Sequence, residues 1–596
     1  MIQLIFLLAL LLCLIPLIPG VIGLILPAFS WLPPLGHQTP GLSAFTIVIH
    51  WPGLGESILL SLFTGLGSSI LALLFTFTIL QRYWDSEGWR RLERTLSPML
   101  AMPHVAFAIG FAFLLSPSGW LYRLLETVGI PTGQAFNLIQ DPYGVGMMLA
   151  LAIKETPFLL MMSIPVLQQL QTARLLTVAT SLGYSHRQSW LTVIMPQWLP
   201  LIRLPLFAVA AYGLSVVDVA LIIGPTRPTT LAVLIWQWFN EPDLHLLPRA
   251  AAGALLLLLL TALTLLLMRL CEHALVRGWK SWQLNGARAH RHRRLNAFRL
   301  FRCPAPISAS KNYAPSSMAS SSTTGLGLYW PFVAIPVLVI PVLAVWSVAL
   351  RWRFPDLLPS RYSLRFWQQE ILSLFELAAN SLTLALASSL TALILAIGCL
   401  EYRQQTQRGL PIWLIATPLV VPQLSLLFGV QIATYLIPGQ HYWLWVYWSH
   451  LFFVFPYLYL TLDGAWRSYD IRLDQCSRSL GMTTWQTWWK VKRPQVQPAM
   501  IMGVAVGISV SLAQYLPTQM LGAGRISTIT TEAVALASGQ DRRVSAIYGL
   551  IQGSLPFFFF TLAFVANRLT SHYRHGRPYT RSTLADDTVC GKPHYK

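Results

Sequence analysis

Runs of about twenty apolar residues recur along this chain, and each is long enough to cross a membrane as a helix. Twelve segments qualify: 3–28, 57–80, 96–115, 144–164, 199–224, 248–270, 329–350, 377–400, 411–437, 441–462, 498–522 and 544–566. Inside a bilayer every backbone N–H and C=O must find its partner within the protein, so runs of this length cross as helices. Charged residues make up only 11% of the chain, against roughly 25% in a soluble domain. The sequence therefore predicts an all-α polytopic membrane protein with about 12 transmembrane helices set in a lipid bilayer. Pro103, Pro157 and Pro422 fall inside spans, where neighbouring helices re-satisfy the freed backbone groups. The first thirty residues lack a basic leader, and their apolar run is too long for a signal peptide. They read as a retained first span.

The formal net charge of +20 invites a nucleic-acid reading. The distribution of Lys and Arg argues against it. With both termini cytoplasmic, 29 of the 42 basic residues fall on the cytoplasmic side and nine on the other. Four, Lys154, Arg203, Arg249 and Arg269, lie within spans. That asymmetry is the positive-inside pattern of a multi-pass protein, and no nucleic-acid partner is expected. The four arginines in 351–376 are a local exception. The six cysteines form no CxxC pair, and no metal site is expected. His290 and His292 lack further ligands at fitting spacing.

A segment at 271–328, basic and then rich in Pro, Ser and Thr, divides the spans six and six. It reads as a cytoplasmic linker between a first half at 1–270 and a second at 329–570, followed by a cytoplasmic tail at 571–596. The halves repeat. Aligned at an offset of 298, residues 175–200 and 473–498 are identical at ten of 26 positions. The shared pairs include Ser181/Ser479, Leu182/Leu480, Gly183/Gly481, Trp190/Trp488 and Pro196/Pro494. Earlier pairs such as Ser61/Ser381 are offset by 320, so the first half carries 22 more residues, which the loop 116–143 can hold. Both copies lie between the fourth and fifth spans of their half, so the two halves have parallel topology.

Each copy, near 173–196 and 471–494, reads as a short helix, a glycine-permitted turn and a second short helix stopped by Pro196 or Pro494. The apolar stripe is Leu175, Val178 and Leu182 in one copy and Leu473, Cys476 and Leu480 in the other. Such a stripe packs on its own bundle or enters a groove on a partner. Duplication in equivalent loops favours a partner with two-fold symmetry.

These loops resemble the "EAA" loop of the permease subunits of bacterial binding-protein-dependent ABC importers. The glycine-to-proline spacing of 13 holds in both copies. Two units in one chain are similar to the fused permeases of the thiamine and ferric-iron importers. The stretch 511–543 looks most like the YnjC-type permeases. The resemblance implies type I importer permease halves of the MetI-like kind, in a bacterial inner membrane. It implies two separate ABC ATPase subunits docking on the loops and a separate periplasmic solute-binding protein. Ser181, Leu182, Gly183, Trp190, Pro196, Asp474, Ser479, Leu480, Gly481, Trp488 and Pro494 would then form the ATPase-coupling loops. The sequence departs from the pattern where the glutamate stands, at Thr177 and Gln475, although Asp474 keeps an acid one place early.

The chain has no phosphate-binding GxxxxGK[ST] loop, so no cofactor is expected in it, and ATP would be bound by the partner subunit. No nucleophile motif or metalloprotease motif suggests an enzyme. The rival reading is a secondary transporter of the major-facilitator type, which also has parallel six-helix halves. Asp85, Gly88, Arg90 and Arg91 partly match that family's loop signature, but the match fails at Ser86 and Trp89.

Ionisable residues in mid-span mark a candidate translocation pathway. They are Lys154, Glu155 and Asp218, with Gln514, Tyr515 and Gln519 in the second half. The bland alternative is a helix-cementing pair of Lys154 with Asp218 or Glu155. An acidic residue among aromatic groups would suit a small organic cation such as thiamine, with iron or another small solute left open.

Overall fold

The computed structural model describes residues 2–130, 137–284, 330–435, 441–539 and 541–575. Eight helices are long and apolar enough to cross a membrane, or ten if each of two bent pairs is one span. The other two expected segments are also helical, at Trp330–Val348 and Tyr442–Ser468. The second of these is rich in Trp and Tyr, which lowers its hydropathy without preventing a helix.

Several spans are broken at equivalent places in the two halves. Met102 and Val421 precede prolines and take extended backbone, because the proline ring disfavours the helical region for its predecessor. The helices His104–Leu115 and Gln423–Thr434 start afresh after these breaks. The fifth span breaks at 216–217, between Arg203–Ser215 and Asp218–Ile223. Its repeat partner breaks at 513–515, between Arg493–Leu512 and Leu516–Leu521.

In two of the long spans much of the buried face is built of small and hydroxyl-bearing residues. In Leu54–Tyr83 the buried stripe is Ser57, Ser61, Thr64, Gly65, Ser68 and Ala72, while Leu59, Phe63, Ile70 and Leu74 face outward. In Arg365–Thr406 the stripe includes Ser381, Ala385, Ser388 and Ala392. Small residues let helices approach closely where lipid, not water, covers the outside. Hydroxyls in the stripe also do matching work in each half. Ser61 Oγ accepts from Leu231 N at 2.7 Å, and Ser381 Oγ accepts from Ile529 N at 3.0 Å. Each bond caps the short helix that follows the broken span, Leu231–Phe239 or Ile529–Ala537.

The first helix of each half packs on the other half. Leu17–Ala28 lies along Gln423–Thr434, where Gly20 and Gly23 meet Gly429 backbone to backbone. Trp330–Val348 lies along His104–Leu115, where Gly110 receives Val339. The 22 extra residues of the first half fall between Leu115 and Val145 and include the helix Trp120–Thr127. Buried Arg123 from that helix donates to the carbonyls of Arg353 and Asp356, both at 2.7 Å. It thereby holds the hairpin formed by Ala349–Arg351 and Arg361–Tyr362, where much of the local arginine excess lies.

One helix runs past its expected end. Leu247–Leu284 continues through the first residues assigned to the linker, aided by Glu272 pairing with Arg269 at 2.8 Å and Arg203 at 3.6 Å. The His290/His292 pair, the Pro/Ser/Thr-rich linker and the tail beyond 575 lie outside the described residues.

Candidate coupling loops and a polar cluster within the membrane

The two repeated loops fold alike. Helices Thr172–Ser181 and Arg472–Ser479 end near Gly183 and Gly481, whose φ values of +86° and +82° require the left-handed conformation that glycine adopts freely. A capping box then starts the second helix, Ser185 with Gln188 in one copy and Thr483 with Gln486 in the other. Pro196 and Pro494 do not stop this helix, contrary to the sequence expectation. A π-helical turn, Trp190–Ile194 or Trp488–Lys492, leads straight into a further helical stretch that carries the proline as its second residue, so the widened turn accommodates it.

The loop residues divide into two sets. Trp190 is buried against Phe77, and Trp488 Nε1 donates to Glu401 Oε1 at 3.2 Å, so these two tryptophans anchor each loop to its own bundle. Most of the apolar stripe does the opposite, although Leu175 is half-buried against the bundle. Leu182 is 72% exposed and Leu480 80%, and Val178, Leu473 and Cys476 are exposed as well. Trp485, at 63%, extends the patch in the second copy. Ser181 and Ser479 spend their hydroxyls on the preceding helical turn. Asp474 accepts from Tyr469 OH at 2.5 Å. Burial first, and then this bond, pushes the Tyr469 phenol above its ordinary pKa, so it remains a donor at physiological pH.

Within the membrane, Lys154 forms no ion pair within 4.0 Å with Asp218 or Glu155 among the described residues. Its Nζ donates to Met99 O at 3.3 Å. Met99 lies in the last turn of Glu87–Ala101, whose final carbonyls lack partners within the helix, and the lysine supplies one. Glu155 pairs with His104 Nε2 at 2.8 Å, and the His104 ring lies 4.7 Å from that of Tyr212. Asp218, half-buried at the start of its short helix, is within electrostatic reach of His104, Tyr212 and Tyr515. In the second half Gln514 accepts from Gln423 at 2.8 Å, Tyr515 is buried near Trp236, and Gln519 is half-buried.

Of the expected pathway residues, Glu155, Asp218 and Tyr515 therefore lie within reach of His104 and Tyr212 near the breaks in the spans. Buried His450, hydrogen-bonded to Ser511 at 2.7 Å and Thr518 at 2.9 Å, is a further polar centre in the second half. The rule that singles out ionisable residues in mid-span applies to histidine too, and it would have found both rings.

A lipid-facing bundle of broken spans carrying two like loops defines a polytopic transport permease. The chain belongs to the permease subunits of ABC transporters. It is similar to inner membrane ABC transporter permease protein YnjC of Escherichia coli (strain K12), with 32% identity over 498 residues, 84% of this chain and 85% of that protein. Glycine betaine/carnitine transport permease protein GbuB of Listeria monocytogenes serotype 1/2a (strain 10403S) is 27% identical over 176 residues, 28% of this chain and 55% of GbuB. A probable sulfate transport system permease protein, cysT of Chlorokybus atmophyticus, is 35% identical over 65 residues, 11% of this chain and 23% of cysT. No family model matches the chain. It is a multi-pass inner-membrane ABC permease, and the major-facilitator reading falls away.

Proposed function

We propose that this permease imports a small solute delivered by a separate periplasmic binding protein, and that two ATPase subunits drive it by docking on the two repeated loops. The observation that carries the proposal is the pair of exposed leucines, Leu182 and Leu480, each set beside a left-handed glycine. An apolar stripe left uncovered in water twice, at equivalent positions, fits a partner present in two copies. ATP would be bound and hydrolysed by those subunits. Their closure would draw the loops together and rock the halves between inward- and outward-open states. Purification of the tagged permease from its native membrane tests this, with two ATPase chains expected per permease and their absence counting against the reading.

The orientation has both termini in the cytoplasm. Reporter fusions at Ser310 and after Arg568 are expected to report cytoplasm, and those near His37 and Gly439 periplasm. A periplasmic report at Ser310 overturns the arrangement.

The polar cluster is the proposed solute path, and the carboxylates of Glu155 and Asp218 favour a solute with positive charge. Asp218→Asn should lower uptake several-fold while assembly and basal ATP hydrolysis stay intact. Lys154→Met should not compensate it, since the two side chains are not paired. Full uptake by Asp218→Asn removes this residue from the path.

A further inference from the structure

The two loops are built alike, but they are held differently. In the second half, Glu401 lies near the end of Arg365–Thr406. Its Oε1 accepts from Lys492 Nζ at 2.6 Å, Trp466 Nε1 at 3.0 Å and Trp488 Nε1 at 3.2 Å. One carboxylate thus gathers the end of one span, the end of Tyr442–Ser468 and the π turn of the loop. Lys492 is only 2% exposed, lies over the rings of Trp466 and Tyr469, and also donates to Gln404. Arg403 and Asp463 pair beside it, joining the same two spans. Ser477 and Thr487, 2.9 Å apart, hydrogen-bond the loop's two short helices to each other.

The first half keeps the tryptophan but not the charged residues around it. In register, Gln81 stands where Glu401 does, Ile194 where Lys492 does, and Ala179 where Ser477 does. Trp190 Nε1, the counterpart of the Trp488 donor, is buried without a partner among the described residues, as is Gln81 Nε2. A polar tie between this loop and its span is His186 Nε2 donating to Gln81 O at 2.9 Å. The lever beyond the loop differs too. Thr484–Leu512 runs on as one candidate span, whereas His186–Leu201 and Arg203–Ser215 meet at 66°. Pro205 explains the bend, because it has no N–H to offer the Leu201 carbonyl.

We propose that Glu401 and Lys492 are positioning residues that lock the second loop to its spans, making it the stiff lever of the transporter, while the first loop is jointed and yields. This rests on the ATPase-docking reading for its consequence but not for its test. A loop tied by a buried charge cluster passes displacement to its span, and a loop that bends at Ile202 absorbs part of it. The same subunit movement would therefore act unequally on the two halves.

The test is amide hydrogen exchange of the full-length permease in lipid nanodiscs, without ATPase, comparing 472–487 with 174–189. Loss of a hydrogen bond to a charged group speeds local exchange by about tenfold or more, so the second loop is expected to exchange at least that much more slowly than the first. The double variant Glu401→Gln/Lys492→Ile installs the pair that the first half already carries, so it has an internal precedent for folding. It should bring exchange of 472–487 close to that of 174–189. In the complete transporter, the same variant should keep its ATPase subunits but hydrolyse several-fold more ATP per solute moved, a readout that a merely structural role would leave unchanged. Equal exchange of the two loops in the native chain, or no change in the double variant, overturns the proposal. Failure of ATPase subunits to bind the native chain would instead strike the docking reading and leave the exchange result standing.

Discussion

Gly429→Val is expected to leave almost no correctly assembled permease in the membrane. A Cβ at this position would stand 1.8 Å from the carbonyl oxygen of Gly20, and one at Gly23 would stand 2.1 Å from that of Gly429. Overpacking costs about 1–3 kcal/mol where neighbouring side chains can shift. Here the atoms met are backbone on both sides, so relief requires moving one helix bodily off the other. That contact joins Leu17–Ala28 of one half to Gln423–Thr434 of the other, and its loss opens the bundle. The check is the yield of monodisperse protein after detergent extraction, with Gly464→Ala as the control, since nothing lies within 4 Å of a Cβ there. Native yield from Gly429→Val would contradict the packing described.

Gly481→Val should release most of the bound ATPase while leaving membrane insertion normal. A Cβ at Gly481 or Gly183 would meet nothing within 4 Å, so backbone strain alone opposes a side chain. A non-glycine residue in the left-handed region costs about 1–2 kcal/mol, and a β-branched one fits it worst. That is enough to shift the turn and lower ATPase retention by about tenfold. Asparagine tolerates this conformation, so Gly481→Asn should keep most of the retention. Gly183→Val should behave in the same way but more mildly, because the first loop is less tightly held. Pull-down of the ATPase on the tagged permease ranks the four proteins, and equal retention by the native chain and Gly481→Val would deny the turn its role.

The spans were legible because a backbone in hydrocarbon has few solutions. The breaks after Met102 and Val421 went unread, since Pro103 and Pro422 were placed inside continuous spans, although proline restricts its predecessor. The repeated loop was legible through its glycine and its register. The interlock of Gly20 and Gly23 with Gly429 was not, since glycines more than 400 residues apart carry no periodicity that pairs them. The reading of Pro196 and Pro494 as helix stops failed because a π turn accommodates them. The alternative that paired Lys154 with Asp218 or Glu155 meets no such ion pair among the described residues. Sequence shows charges but not the end of a neighbouring helix, where the Met99 carbonyl needed a donor. Nor did Glu401 and Lys492 stand out, 91 residues apart and each near a span end where a lone charge is ordinary.

On the proposed reading, the repeated loops meet the ATPase subunits through Leu182 and Leu480. Cysteine variants at these two positions, in a background without other exposed cysteines, can be cross-linked by a short bifunctional thiol reagent in complexes with the ATPase carrying single surface cysteines. Permease–ATPase adducts are expected from both Leu182→Cys and Leu480→Cys, and none from Leu59→Cys on the lipid-facing side of its helix. Absence of an adduct from both loop positions, with the ATPase present and the reagent active on each partner alone, would contradict it.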